Sequence, residues 1–316
     1  MKGLRDVIIV AWIVAFSAGT LQAAGTTTAF SFLRNDASAR AAALAGSFIT
    51  VTDDPNAIFY NPAGLATIAD SRGSIGFFKH LLDINAGCAS YSTDVEDIGR
   101  FGAGIVYTNY GSFTETDAVG NVLGTFTAND LALSIGYATS FEENVYVGGA
   151  VKFIYSGIAG YTSTAVAADV GVLYTIPDAR VAVGASVRNL GAQLSTYSGT
   201  REQLPLDVTI GASVVPRGLP LLLNVGFHRL ADDATTIGER FRFFIVGGEF
   251  TLSRVLRLRV GFDNAKRKDF KIGPSADLAG FSAGVGILVS GYTIDYAVSS
   301  LGKAGSLHRI SVSTSF

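Results

Sequence analysis

The last eleven residues, Ser306 to Phe316, read SLHRISVSTSF. His308, Ile310, Val312, Thr314 and Phe316 fall on one face of an extended chain, because strand side chains alternate. Leu307, Arg309, Ser311, Ser313 and Ser315 fall on the other. The segment is an amphipathic strand that closes on an aromatic residue. Two architectures end this way: a membrane-spanning barrel zipped shut by its last strand, and a soluble two-sheet sandwich. The segment fits both equally, so the preceding chain has to decide.

The same alternation runs backwards from there. Tyr292, Ile294, Tyr296 and Val298 oppose Thr293, Asp295, Ala297 and Ser299. Leu256, Leu258, Val260 and Phe262 oppose Arg257, Arg259, Gly261 and Asp263. Leu206 to Val214 and Leu131 to Ala138 repeat the pattern. One face is large and apolar, and the other is dominated by Gly, Ala, Ser and Thr with few Lys or Glu. A soluble sandwich turns its large residues inward and long charged ones outward. A crowded interior of small side chains with an apolar exterior is the pattern of a transmembrane barrel. Tyr107, Tyr110, Phe141, Tyr146, Tyr161, Tyr174, Tyr197 and Tyr292 stand near strand ends, where interfacial girdles are expected.

Turn signals from residue 72 onward divide the chain into about fourteen strands, and twelve or sixteen also fit. Short links (Glu142 to Asn144, Pro177 to Ala179, Pro216 to Gly218, Leu252 to Arg254) alternate with longer ones. The longer ones run Thr114–Asn121, Gly157–Thr164, Leu190–Gln203, Ala231–Glu239 and Ala265–Ala276. An antiparallel barrel with both termini on one side predicts this alternation.

Composition agrees. Charged residues make up 16% of the 316 residues, below the roughly 25% of soluble domains, and there are 37 Gly. Beyond the N-terminus no apolar run is long enough for a spanning helix. A net charge of -2 gives no sign of nucleic-acid binding. The N-terminus reads as a secretory signal over residues 1–24: Lys2 and Arg5, an apolar core Val7 to Phe16, then Leu21-Gln22-Ala23-Ala24 for cleavage. The single Cys88 permits no internal disulfide and reads as a small buried or lipid-facing side chain. The expected location is the outer membrane of a Gram-negative bacterium, with outer-membrane lipid and the barrel assembly machinery as partners.

Residues 25–70 lack the alternation. An Ala-rich run, Ala37 to Gly46, suits a short helix, and Asp53-Asp54-Pro55-Asn56 is a turn cluster. Asn61-Pro62-Ala63-Gly64 breaks the chain, because the residue before Pro is pushed out of the α region. The segment is apolar with few charges, as suits a plug in the lumen. A lone buried Arg40 would then need an acidic partner, and Asp53 and Asp54 are the nearest in sequence. The plainer reading makes these solvated turn charges and Asn61-Pro62 an ordinary turn.

Three segments carry a family resemblance: FLRNDASARAAALAG (Phe32 to Gly46), DDPNAIFYNPAGLA (Asp53 to Ala66) and HRISVS (His308 to Ser313). They resemble the PorV/PorQ family of outer-membrane proteins, which is related in fold to the FadL-type channels that also carry an Asn-Pro-Ala motif in an N-terminal hatch. Ser38 to Leu44, with Lys266-Arg267-Lys268-Asp269 ahead of Ala279-Gly280-Phe281-Ser282, lean to the PorQ branch. The resemblance implies a hatch motif at Arg40, Asp53, Asp54, Asn61, Pro62, Ala63 and Gly64. The closing strand also resembles that of bacterial outer-membrane β-barrels at large, and this resemblance implies an assembly signal at Ile310, Val312 and Phe316. The PorV/PorQ resemblance also implies a non-catalytic role in, or accessory to, type IX protein secretion and surface attachment of cargo, with other secretion-system proteins or periplasmic or surface proteins as partners. The alternative is a FadL-like channel for hydrophobic small molecules.

No enzyme constellation, metal-ligand spacing or cofactor motif emerges. His80, His228 and His308 are placed on separate strands without the paired spacing of a metal site. Arg240, Arg242, Arg257 and Arg259, with Asp263, are candidate lumen charges, either solvated or forming a basic patch on neighbouring inner faces.

Overall fold

The structure is a computed structural model that describes residues 28–79, 84–233, 236–271 and 277–316; the signal segment expected over residues 1–24 and His80 lie outside them. The alternating stretches form strands β1 (Arg72–Lys79), β2 (Asn85–Val95), β3 (Gly99–Thr116), β4 (Val122–Glu142) and β5 (Val145–Ile158). They continue as β6 (Tyr161–Ile176), β7 (Val181–Ser195), β8 (Asp207–Val214), β9 (Leu221–Phe227) and β10 (Phe244–Thr251). The last are β11 (Leu256–Asp263), β12 (Phe281–Val289), β13 (Tyr292–Ser300) and β14 (Ser306–Ser315). Each pairs antiparallel with its neighbour, and β14 returns to β1 with Val312 opposite Ile75 and Ile310 opposite Phe77. This is a closed transmembrane barrel of fourteen strands. Closure leaves no strand edge, and an open edge in hydrocarbon would cost several kcal/mol per group.

The facing follows the sequence pattern. Ile75, Ile135 and Val151 are each 65% exposed on the outer surface and Val260 64%, while Arg259, Gly261 and Asp263 beside Val260 are buried. A continuous apolar exterior of this kind is stable only against lipid. Short turns sit at one rim with Arg72 and Ser315, and longer connections at the other. The β5–β6 link departs from expectation. Ile158 pairs with Tyr161, leaving only Ala159 (φ 50°) and Gly160 (φ 82°) as a tight hairpin turn in place of a long loop. Strands β3 and β4, of 18 and 21 residues, exceed the roughly 9–11 needed to span, so their hairpin projects beyond the long-loop rim.

Two of the expected girdle residues face the wrong way for that role. Tyr110 donates its hydroxyl hydrogen bond to Asp130 (2.6 Å), and Tyr146 packs towards Ala63 and Leu173. Both point into the lumen because they share strand parity with the small inner residues, a register the sequence leaves open near a strand end.

Residues 28–71 fill the barrel. The main core joins Leu44, Phe48, Val51, Ile58, Tyr60 and Leu65 of this hatch to Ala138 and Ala150 of the wall. The small inner face has a structural reason. A Cβ on Gly102 would lie 2.7 Å from Leu65, one on Gly104 2.6 Å from Phe59, and one on Gly148 2.6 Å from the backbone at Pro62–Ala63. These glycines leave room for the hatch, while others, such as Gly226 and Gly286, make room for wall side chains (Ile245; Asp295 and Arg259).

Candidate functional site: the hatch and its seat

Short capped turns build the hatch. Helix α1 (Ala39–Ala43) starts at Ser38, whose Oγ accepts from Ala41 N at 3.1 Å. Alanines are needed there because α1 lies on β12 and β13: a Cβ on Gly284 would come within 2.5 Å of Ala43. Asp54 caps a 3-10 turn over Pro55–Phe59, and Asn61 caps another over Pro62–Thr67, each with Pro at its start. Cys88 is buried on the inner face, with its Sγ against the Ala37 carbonyl.

Arg40 fastens the hatch to the wall. Its Nε and Nη2 donate to the two carboxylate oxygens of Glu249 at 2.9 and 3.0 Å, and Nη1 donates to Asp54 Oδ2 at 3.0 Å. Glu249 on β10 also accepts from Arg259 Nε at 2.6 Å, and Arg259 reaches Asp295 on β13 at 2.5 Å. Burial alone would lower the Arg40 pKa, but Glu249 and Asp54 raise it above its ordinary value, so the guanidinium stays charged. Asp53 is not a partner of Arg40. It lies at φ 58° and turns to Arg72 at the mouth of β1, 2.9 Å away and partly exposed. The two neighbouring carboxylates diverge because Asp54 must point inward to cap its turn.

Asn61 performs three tasks at once. Its Oδ1 accepts from Ala63 N at 3.2 Å, and its Nδ2 donates to the Ile49 carbonyl at 2.8 Å and to Val172 O of β6 at 3.1 Å. It sits over Gly171, where any Cβ would overlap Asn61 Oδ1. The chain it holds separates two cavities. Ile49 lines a cavity of about 250 Å³ on the long-loop side, and Thr50 and Val51 line one of about 330 Å³ on the short-turn side. Gly64 is buried against Ala57, and Arg100 holds the exit of the hatch by donating to the carbonyls of Ala69 and Asp70.

Ion pairs also tie the hatch to the long loops. Asp36 meets Lys266 of α3 (Asn264–Phe270) at 2.6 Å, and Arg34 meets Asp232 at 3.2 Å. Tyr60 accepts from Ala37 N at 2.9 Å, and its phenol pKa is pushed well above the ordinary value by burial, with Asp36 adding to it.

A different chemistry occupies the β4–β7 side. Phe30 and Phe32 are buried with Ala132, Ile154, Ala165, Ala167 and Leu204 in an apolar seat. Phe30 is held at φ 57°, a strained region for a bulky residue. Behind this seat the wall is irregular. The β6–β7 register slips between Ala168 and Val170, Asn189 adopts φ 59°, and its N–H is satisfied by Asp169 Oδ1 at 2.8 Å instead of the ladder. On the outer surface a hollow of about 710 Å³ lies over this bulge, lined by Leu133, Val151, Phe153, Val166, Ala168 and Leu190 among others.

The candidate lumen charges are not one patch. Arg259 and Asp263 are buried inside, but Asp263 caps α3 and faces His228. Arg240 and Arg242 lie off the sheet, because β10 begins only at Phe244: Arg240 closes α2 (Ile237–Arg240), and Arg242 stacks over the Phe243 ring at 4.7 Å. His228 likewise lies just past β9. Arg257 is half-buried at the short-turn end of β11. In β14, Ile310 faces outward opposite Phe77 with Val312 beside it, and Phe316 N donates to Ser71 O at 2.8 Å with its ring 6.3 Å from Tyr91. Glu249, Asp295, Asp36, Arg100 and Arg188 were missed from sequence. Glu249 and Asp295 had a readable signal, as lone carboxylates at inward positions of otherwise small-residue faces.

No family model and no curated protein matches the chain. Solved structures do. The toluene transporter TbuX of Ralstonia pickettii superposes with a TM-score of 0.62 at 12% identity, covering 88% of this chain and 98% of that one. The toluene transporter TodX of Pseudomonas putida gives 0.57 at 14%, covering 87% and 96%. A FadL homologue of Pseudomonas aeruginosa gives 0.53 at 12%, covering 85% and 95%. At these identities the likeness establishes architecture: the chain has the barrel fold of the FadL-type outer-membrane transport proteins.

Proposed function

We propose that this protein is a hatch-gated outer-membrane channel for small hydrophobic molecules. The observation that carries the reading is the apolar seat around Phe30, Phe32 and Ile154, backed by the β6–β7 bulge and the apolar hollow outside it. The Ile49–Thr50 segment and the Arg40 anchor bar the axial route, while the seat and the hollow share Ala167 of the wall; the buried Lys152–Asp169 pair (2.9 Å) and Asn189 stand at the bulge, so an apolar molecule reaches the bilayer only when that part of the wall shifts. The fold neighbours are named for toluene, and CymD among them for monoaromatic hydrocarbons, which supports cargo of that size and polarity. The test is uptake of radiolabelled toluene by intact cells bearing the protein in their outer membrane. Ala168→Trp fills the outer hollow from the lipid side and should cut uptake at least tenfold without preventing assembly. Equal uptake by the variant, or none by the wild type above empty membranes, refutes the reading.

The secretion role implied by the PorV/PorQ resemblance is the second reading. The projecting β3–β4 hairpin favours it, with Val119, Val122 and Leu123 strongly exposed beyond the membrane as a surface for a partner protein. Co-purification of secretion-system proteins from native outer membranes, lost on trimming residues 117–121, tests it.

A further inference from the structure

The short turns carry their charge unevenly around the barrel. At the β2–β3 and β4–β5 turns Asp94, Glu96, Asp97, Glu142 and Glu143 are exposed, with no exposed cation among them. At the β6–β7, β8–β9 and β10–β11 turns Arg180, Arg217 and Arg254 are exposed, and Asp178 is the one exposed carboxylate. These three turns form one arc. Arg217 donates to the Asp178 carbonyl at 3.3 Å, Val215 N donates to the Arg180 carbonyl at 2.9 Å, and Thr251 N donates to the Pro220 carbonyl at 2.8 Å. Among the described residues none of the three arginines is ion-paired to a carboxylate.

The depth of these turns follows from their apolar residues. Leu219, Leu252 and Val255 are 50%, 50% and 53% exposed in the basic arc, and Ile98 and Phe141 are 57% and 71% exposed in the acidic one. In water such side chains would form the apolar patches that soluble surfaces avoid; next to a lipid-facing wall they dip into the leaflet. The charges that flank them in the same turns then stand at headgroup level, where phosphate is the anion within reach.

We infer that the Arg180–Arg217–Arg254 arc is a binding site for an anionic glycerophospholipid of the leaflet on the short-turn side, and that the acidic turns exclude the same lipid. A guanidinium fork matches two phosphate oxygens, and the leucines beside it take the acyl chains. A lipid fits the arc better than an acidic protein does, because the apolar contacts run on without a break into the lipid-facing wall. The inference rests on neither the channel reading nor the secretion reading; it needs only the barrel in its bilayer.

Fluorescence quenching in reconstituted vesicles tests it. A fluorophore is attached at Ala179→Cys in the basic arc or at Ile98→Cys in the acidic one, while Cys88 is buried and stays unlabelled. The vesicles are phosphatidylethanolamine with a minor share of phosphatidylglycerol, and one lipid or the other carries a bromine quencher. Per molecule, brominated phosphatidylglycerol should quench the Ala179→Cys probe about fivefold more than brominated phosphatidylethanolamine does, and the Ile98→Cys probe no more. Arg217→Gln with Arg254→Gln should remove the preference while the barrel keeps its heat-modifiable migration, and Arg217→Lys with Arg254→Lys should keep most of it. Equal quenching by the two lipids at Ala179→Cys overturns the inference, as does the same preference at Ile98→Cys or a preference that survives the double Gln change. Absence of quenching by either lipid at Ala179→Cys places the arc in water, open to an acidic protein instead, and overturns it too. If the double Gln variant does not assemble, the contrast between the two labelled positions decides.

Discussion

Replacing Arg40 with Ala should open the barrel without unfolding it. Arg40 and Arg259 face three carboxylates, Asp54, Glu249 and Asp295, so the cluster is already one positive charge short. Without Arg40 a single guanidinium remains, and it does not reach Asp54. The groups are shielded from water: the side chains of Arg40, Asp54 and Glu249 are 15%, 10% and 8% exposed. Removing one partner of such a buried pair costs about 3–5 kcal/mol. At about 1.4 kcal/mol per tenfold, the closed-to-open ratio of the hatch should fall by a factor of roughly 150 to 4,000. The barrel itself should survive, because its fourteen-strand ladder is closed independently of the hatch. In a planar bilayer the wild type should be almost silent and Arg40→Ala should show frequent openings. Adding Asp54→Asn should restore part of the closure, since Asn can still cap the turn and the change removes the charge that Arg259 does not reach. An Arg40→Ala barrel as silent as the wild type would refute the reasoning, as would a wild-type barrel that conducts steadily.

Asn61→Ala strips the Ile49 and Val172 carbonyls of their donor and should weaken the same barrier by about 1–3 kcal/mol, read as a smaller increase in openings. Pro62→Ala keeps those bonds and should have a lesser effect. The Asp36–Lys266 latch should be insensitive to pH across the neutral range. Burial would raise the Asp36 pKa, but Lys266 outweighs it and leaves the carboxyl below its ordinary value. Burial would lower Lys266, and Asp36 and Asp263 instead leave it raised. The carboxyl's contribution is thus present above the ordinary value of 3.8 and lost as pH falls through its depressed folded value; the ammonium's is present below 10.5 and lost as pH rises through its elevated one. Hydrogen-exchange protection factors of residues 34–46, corrected for the intrinsic pH dependence of amide exchange, should therefore stay constant between about pH 5 and 9, and a transition inside that window would contradict the assignment. Val260→Arg, on the lipid face, should destabilise by about 2–4 kcal/mol near mid-membrane, and deleting Phe316 should reduce assembly more than its one aromatic contact with Tyr91 accounts for. Urea titration and outer-membrane yield measure the two.

Sequence alone determined the barrel. Alternation is a local property with period two, so the facing of β14, β13 and β11 could be read from residues such as Val260 and Gly261 without knowing any partner. Turn residues indicated about fourteen strands and left twelve or sixteen open until the pairing of β14 with β1 closed the count, while the capped turns at Ser38, Asp54 and Asn61 follow from side chains that reach only two or three residues along the chain. What the tertiary structure decided is everything that depends on chain-distant neighbours. Arg40 finds Glu249 across 209 positions, and Asp36 finds Lys266 across 230, distances over which local patterns carry no information. The sequence offered Asp53 and Asp54 as equivalent partners, and only the inward turn of Asp54 separated them. The small inner face was legible as a pattern, but its reason was not: the glycines accommodate Leu65, Phe59 and Pro62, and that complementarity exists only once the hatch is folded into the lumen. The bulge at Asn189 and the cavity between hatch and loops arise from register and packing, which single residues do not encode.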